Sequence, residues 1–70
     1  MKNFDLNEFK SGKSAQTKLG NSARFVAIAN NGKMLVVVKP RFGQEEVMQY
    51  NLDGRKYNGV DTEFDLVMVG

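Results

Sequence analysis

Seventy residues support one domain with a marginal core, since a chain this short buries only about 60% of the surface its unfolded form exposes. Cysteine and histidine are both absent, which excludes disulfide frameworks, zinc fingers, iron–sulfur sites, thiol catalysis and histidine-assisted nucleophiles. Hydrophobic residues at 41%, charged residues at 26% and a net charge of +2 describe an ordinary globular chain rather than a disordered tail.

The chain opens on a predicted helix over residues 4–11. Asn3 is placed to cap it, taking a free backbone N–H of the first turn. Asp5 and Glu8 lie where the helix dipole favours acids, Lys10 lies near the other end, and Gly12 can stop the helix. Leu6 and Phe9 share one face, which must dock on a sheet because two turns alone are marginal. Residues 11–22 read as a polar loop, or as an edge hairpin around Leu19-Gly20-Asn21.

Arg24 to Ala29 reads as a strand. Asn30-Asn31-Gly32-Lys33 follows, and its Asn-Gly pair predicts a type I′ hairpin turn. Met34 to Lys39 is the partner strand, rich in β-branched residues, and Pro40 ends it. Glu45 to Leu52 alternates as a further strand, Asp53-Gly54 marks a turn, and Arg55 to Asn58 is a short strand or extended arm. Thr62 to Val69 alternates into a last strand. The expected fold is α+β, mainly β: one domain over 1–70, with the short helix packed on a four- or five-stranded antiparallel meander over 23–70, a small curled sheet or barrel.

Both faces of the central hairpin are apolar. Phe25, Ala27 and Ala29 lie opposite Val26 and Ile28, and Leu35 and Val37 opposite Met34, Val36 and Val38. A half-exposed antiparallel strand would alternate with polar residues, so cover is expected on both faces. The helix supplies one cover. The remaining strands, curling over, or a second copy supply the other, and a homo-oligomer is the expectation.

Charge is divided along the chain. Residues 1–44 carry eight cations against two anions, and residues 45–70 carry two cations against six anions. The basic half can face an anion or the acidic half of another copy. The polar start, with Asp5, Asn7 and Glu8, does not read as a signal peptide. The longest apolar stretch, Met34 to Val38, is far short of the ~20 residues a membrane span needs. No membrane partner is expected, and the expected compartment is cytoplasmic.

Several motifs are incomplete. Ser11-Gly12-Lys13-Ser14 resembles the end of a phosphate-binding P-loop, but Asn7 stands where its first glycine belongs, and a helix precedes it instead of a strand. Gln49, Asn51, Asp53 and Gly54 echo a calcium loop, yet the twelfth position is Val60 instead of a bidentate Glu. Glu63 and Asp65 flank Phe64 and read as one solvated strand face. No catalytic residue, metal site or cofactor is assigned, and an enzyme is not expected.

The candidate ligand-binding residues are Lys39, Arg41, Phe42, Arg55 and Tyr57. Lys39-Pro40-Arg41-Phe42-Gly43 places two cations and an aromatic after a strand end, and Arg55-Lys56-Tyr57 repeats that chemistry in the next turn. Arginine grips phosphate bidentately and an aromatic ring stacks on a base. The two clusters are expected to converge on one rim.

Phe4-Asp5-Leu6, Lys10-Ser11-Gly12-Lys13 and Thr17-Lys18-Leu19-Gly20-Asn21, followed by Tyr50-Asn51-Leu52-Asp53-Gly54-Arg55-Lys56-Tyr57 and Asp65-Leu66-Val67-Met68, resemble small accessory proteins of tailed bacteriophages. Leu19 departs from that pattern, which has Asp before the glycine. The resemblance implies a non-enzymatic accessory protein in the bacterial host cytoplasm. Such a protein would inhibit host defence by binding a host protein or by sequestering a nucleotide signal. The alternative is a small β-barrel that binds nucleic acid.

Overall fold

The computed structural model describes residues 2–69. In chain order the elements are β1 (Lys2–Asn3), α1 (Leu6–Lys10), β2 (Ala15–Thr17), β3 (Ser22–Ile28), β4 (Met34–Lys39), β5 (Glu46–Tyr50) and β6 (Leu66–Met68). The strands form one antiparallel sheet in the order β1-β6-β2-β3-β4-β5. The fold is mainly β with one short helix, as expected.

Three features of the expected fold need correction. Among the described residues the sheet has six strands. It is not a simple meander, because β6 inserts between β1 and β2. Of the two expected forms, curled sheet or barrel, the barrel is excluded, since β1 and β5 do not pair and the sheet stays open. The two extra strands, β1 and β2, are two and three residues long, too short to show alternation; β2 makes the hairpin around Leu19-Gly20-Asn21 that was one of the two readings of residues 11–22.

The helix is shorter than predicted. Asp5, not Asn3, caps it, and its carboxylate accepts the Glu8 N–H at 3.0 Å. Asn3 is occupied in β1, opposite Val67. Glu8 is held by Lys2 at 3.0 Å. These contacts seat Phe9 in the core, where its ring meets Phe4 and Phe25 edge-on at 5.4 and 5.9 Å.

β4 is the centre of the core. Met34, Val36 and Val38 are buried on one face, with Ala23 and Phe25 of β3 and Met48 and Tyr50 of β5 alongside in register. The opposite face is covered only in part: Leu35 and Val37 are half-buried. Val47 is 64% exposed, and Val26, extruded at a bulge between Phe25 and Ala27, is 46% exposed. The chain's own strands therefore do not supply the second cover.

Three hairpin loops share one geometry. In Thr17–Asn21, Ala29–Lys33 and Asn51–Arg55, the first residue donates its N–H to the fifth residue's carbonyl, at 2.8, 2.7 and 2.9 Å respectively. Each fourth residue is a glycine that donates back to the first residue's carbonyl. The central turn is thus a three-residue loop, not type I′: Asn31 has no positive φ, and Gly32 alone takes the left-handed conformation, at φ +84°. Asn31 and Asp53 each accept the N–H two residues on, at 3.0 and 2.9 Å.

Between β5 and β6 the chain is irregular. The expected strand or arm at Arg55 to Asn58 is reduced to an isolated bridge from Tyr57 to Val60. The last strand begins at Leu66, not Thr62. Among the described residues no helix is long and apolar enough to cross a membrane.

Candidate functional site

β3 outruns its neighbour. It pairs with β2 only at Ser22 and Ala23, while its pairing with β4 continues to Ile28. Beyond Ala15 the preceding chain swings away through residues 11–14 to the end of α1. A groove of about 350 Å³ opens between that segment and β3.

The groove is cationic. Lys10 and Lys13 stand on the helix side, and Arg24 and Lys39 on the sheet side. Ser14 and Ser22 add hydroxyls, and Phe9 and Phe25 from the core face and Val37 from the opposite face add apolar lining. Glu45 is the one acid on its wall, 3.9 Å from Arg24. Among the described residues Lys10, Lys13 and Lys39 have no ion-pair partner. Such an arrangement attracts anions and can donate charged hydrogen bonds to carboxylates or phosphates.

The expected site residues fall into two separate groups. Lys39 stands on the groove, and Arg41 and Phe42 project from the adjoining β4–β5 connection, with Phe42 89% exposed. Arg55 and Tyr57 lie past the other end of β5. Val38 faces Glu46 and Met34 faces Tyr50, so the length of β5, about 17 Å at ~3.4 Å per residue, separates the groups. Lys39 and Arg41 do not converge with Arg55.

The second group is satisfied internally. Arg55 binds Asp61 at 2.9 Å and lies 3.7 Å from Asp53. The Lys56 ammonium sits 5.2 Å from the Tyr57 ring centre and 5.6 Å from that of Tyr50. It also donates to the Gln49 carbonyl at 3.3 Å. These contacts brace the irregular segment and leave little unspent charge for a ligand.

Asp65 is the anchor of that segment. It is 4% exposed, not part of a solvated strand face. Its carboxylate accepts N–H groups of Lys56 and Thr62, each at 3.0 Å, and the Thr62 hydroxyl at 2.9 Å. Burial pushes this carboxyl up, but the hydrogen bonds from Lys56 and Thr62, with the Lys18 charge, outweigh burial and hold it below the usual carboxylate range. Tyr50 donates its hydroxyl to the Phe64 carbonyl at 2.7 Å. Burial, with the charges of Asp65 and Tyr57, pushes its phenol up to about 12.

The groove cations Lys10, Lys13 and Arg24 were not among the residues expected at the site. Lys10 and Lys13 do share a signal, because they bracket the glycine that stops the helix. Nothing in the pattern around Arg24 says that β3 extends past its neighbour. Among the described residues no group of three His, Cys, Asp or Glu is arranged to hold a metal. Comparison of the chain with protein-family models, curated proteins and solved structures finds no match.

Proposed function

We propose that this chain is a non-enzymatic bacteriophage accessory protein that acts in the host cytoplasm, inhibiting a defence by binding an acidic region of a host protein. The phage context rests on the sequence resemblance. The binding mode rests on one observation: four cations gathered around a groove whose wall carries a single acid. Four cations against one acid leave the groove with an excess of positive charge, which favours an anionic partner.

Cross-linking from bacterial lysate should recover one discrete host protein with the wild-type chain. A Lys10→Ala/Lys13→Ala double variant should lose at least about tenfold of that recovery, because charged hydrogen bonds contribute about 1.5–3 kcal/mol each. Its melting temperature should stay within a few degrees, since both side chains are exposed. Equal recovery by the double variant would remove the groove from the reading.

A sequestered nucleotide is the second reading, favoured by Phe42 standing 89% exposed beside Lys39 and Arg41. In that case calorimetry with a panel of linear and cyclic nucleotides should show a ligand whose affinity Phe42→Ala and Arg41→Ala each weaken about tenfold. Binding of long single-stranded nucleic acid would instead fall steeply with salt, in proportion to the phosphates neutralised. The open sheet does not favour that barrel-based alternative.

Self-association belongs to the same proposal. It rests on the outer face, where Val47 is 64% and Val26 46% exposed in a chain with a small core. Light scattering at high micromolar concentration should report a mass above 7.8 kDa, and Val47→Lys should return it to that value. A wild-type chain that stays at 7.8 kDa would end this part of the proposal.

A further inference from the structure

We infer that the partner's acidic region enters as an extended strand, hydrogen-bonding to the free edge of β3 between Arg24 and Ile28. The inference rests on the binding reading above and names the form the partner takes. Its first support is the ladder itself. Ala15 and Ala23 face each other, two residues on from the Thr17–Asn21 hydrogen bond that closes the hairpin, so the peptide groups of Ala23 point toward β2. Alternation turns those of Phe25 to the same side. The bulge at Val26 adds one residue and restores the phase, so Ile28 points that way too.

The other hairpin gives the same answer independently. Ala29 donates to Lys33, and two residues back Ala27 faces Leu35 in a hydrogen-bonding pair. Ile28 must then present its N–H and carbonyl away from β4. No backbone or side-chain partner occupies the open-side groups of Phe25 or Ile28 among the described residues.

The second support is the space. The groove opens beside Arg24 and Phe25, where a longer β2 would have run, and beyond it Val26, Ala27 and Ile28 are exposed. The unpaired run of five residues spans about 17 Å, enough for a strand of four to six residues. Strand addition takes its affinity from main-chain hydrogen bonds and its specificity from alternate side chains. Here alternate side chains of an incoming strand would meet Lys10 and Lys13 on one side and Arg24 on the other, which selects Asp or Glu. A second copy joined β3 to β3 is the wrong occupant. Pairing two β3 edges would bring two sets of the same cations together.

The test uses the full chain and a library of ten-residue peptides with Asp or Glu at alternating positions. A selected peptide should bind, and Lys10→Ala/Lys13→Ala should weaken it at least about tenfold. Amide hydrogen exchange at Phe25 and Ile28 should slow at least about tenfold in the complex, while amides of the β5 edge stay unchanged. The same peptide, N-methylated at alternate residues to remove its strand-forming N–H groups, should lose at least about tenfold in affinity. Equal binding by the N-methylated peptide, or exchange unchanged at Phe25 and Ile28, overturns strand addition and leaves the acidic-partner reading standing. No library binding, with lysate recovery still dependent on Lys10 and Lys13, has the same consequence. Failure of both library and recovery removes the reading as well.

Discussion

Gly54→Ala is expected to cost about 3 kcal/mol and to lower the melting temperature by about 12–24 °C. Two effects add. Gly54 sits at φ +88°, where a side chain costs about 1–2 kcal/mol. A methyl group there would also lie 2.6 Å from Cγ of Phe4 and 2.9 Å from its Cβ, a collision with a ring already wedged against Phe9. Overpacking of this kind typically costs about 1–3 kcal/mol. A domain of this size has roughly 4–10 kcal/mol to lose. Gly32→Ala separates the effects: its backbone is left-handed too, but a methyl group there meets nothing within 4 Å. It should cost only the conformational part, about 1–2 kcal/mol. Phe4→Ala in the Gly54→Ala chain should then cost less than it does in the wild type, because it relieves the collision. Strictly additive losses in urea denaturation would show that Phe4 does not press on Gly54.

That contact also marks how far the sequence could be read. Asp53-Gly54 announces a turn, and the turn is there, because Asx and glycine chemistry acts within four residues. The partnership of Gly54 with Phe4 joins residues fifty apart and has no local signature. The same division holds across the fold. The hairpin of β3 and β4 was legible from its β-branched residues and Asn-Gly turn. Its turn type was not, because Asn-Gly also suits a three-residue loop in which the glycine alone is left-handed. β1 was missed because two residues show no period, β2 was legible only as one of two readings, through the Leu19-Gly20-Asn21 turn, and β6 was drawn too long because Phe64 alternates correctly yet lies outside the ladder. The site divided likewise. Lys39, Arg41 and Phe42 were legible as a charged connection after a strand. The groove was not, since it exists only because β2 stops before β3 does.

Asp65→Asn is expected to destabilise the chain by about 2–3 kcal/mol at pH 7. The amide keeps one acceptor oxygen, but its NH2 must face a donor, either the Lys56 or Thr62 N–H, each now 3.0 Å from a carboxylate oxygen. One buried N–H is left unpaired and a charged acceptor is lost. The damage should spread, because this carboxylate fastens Lys56 and Thr62, and the neighbouring Phe64 carbonyl takes the Tyr50 hydroxyl. The pH dependence follows from the direction of the shift. The folded carboxyl titrates below its unfolded value near 3.9, so its contribution is complete above that value. It is lost as pH falls through the lower folded value. Between pH 5 and pH 2 the wild type should therefore lose stability faster than Asp65→Asn, and the gap between them should narrow. The other carboxylates are common to both chains and cancel in the difference. Urea denaturation of the two proteins at pH 7, 5, 3 and 2 measures that gap directly. A gap that stays constant down to pH 2 would mean that the charge on Asp65 does no work in the folded state, and that its hydrogen-bonding shape alone holds the segment between β5 and β6.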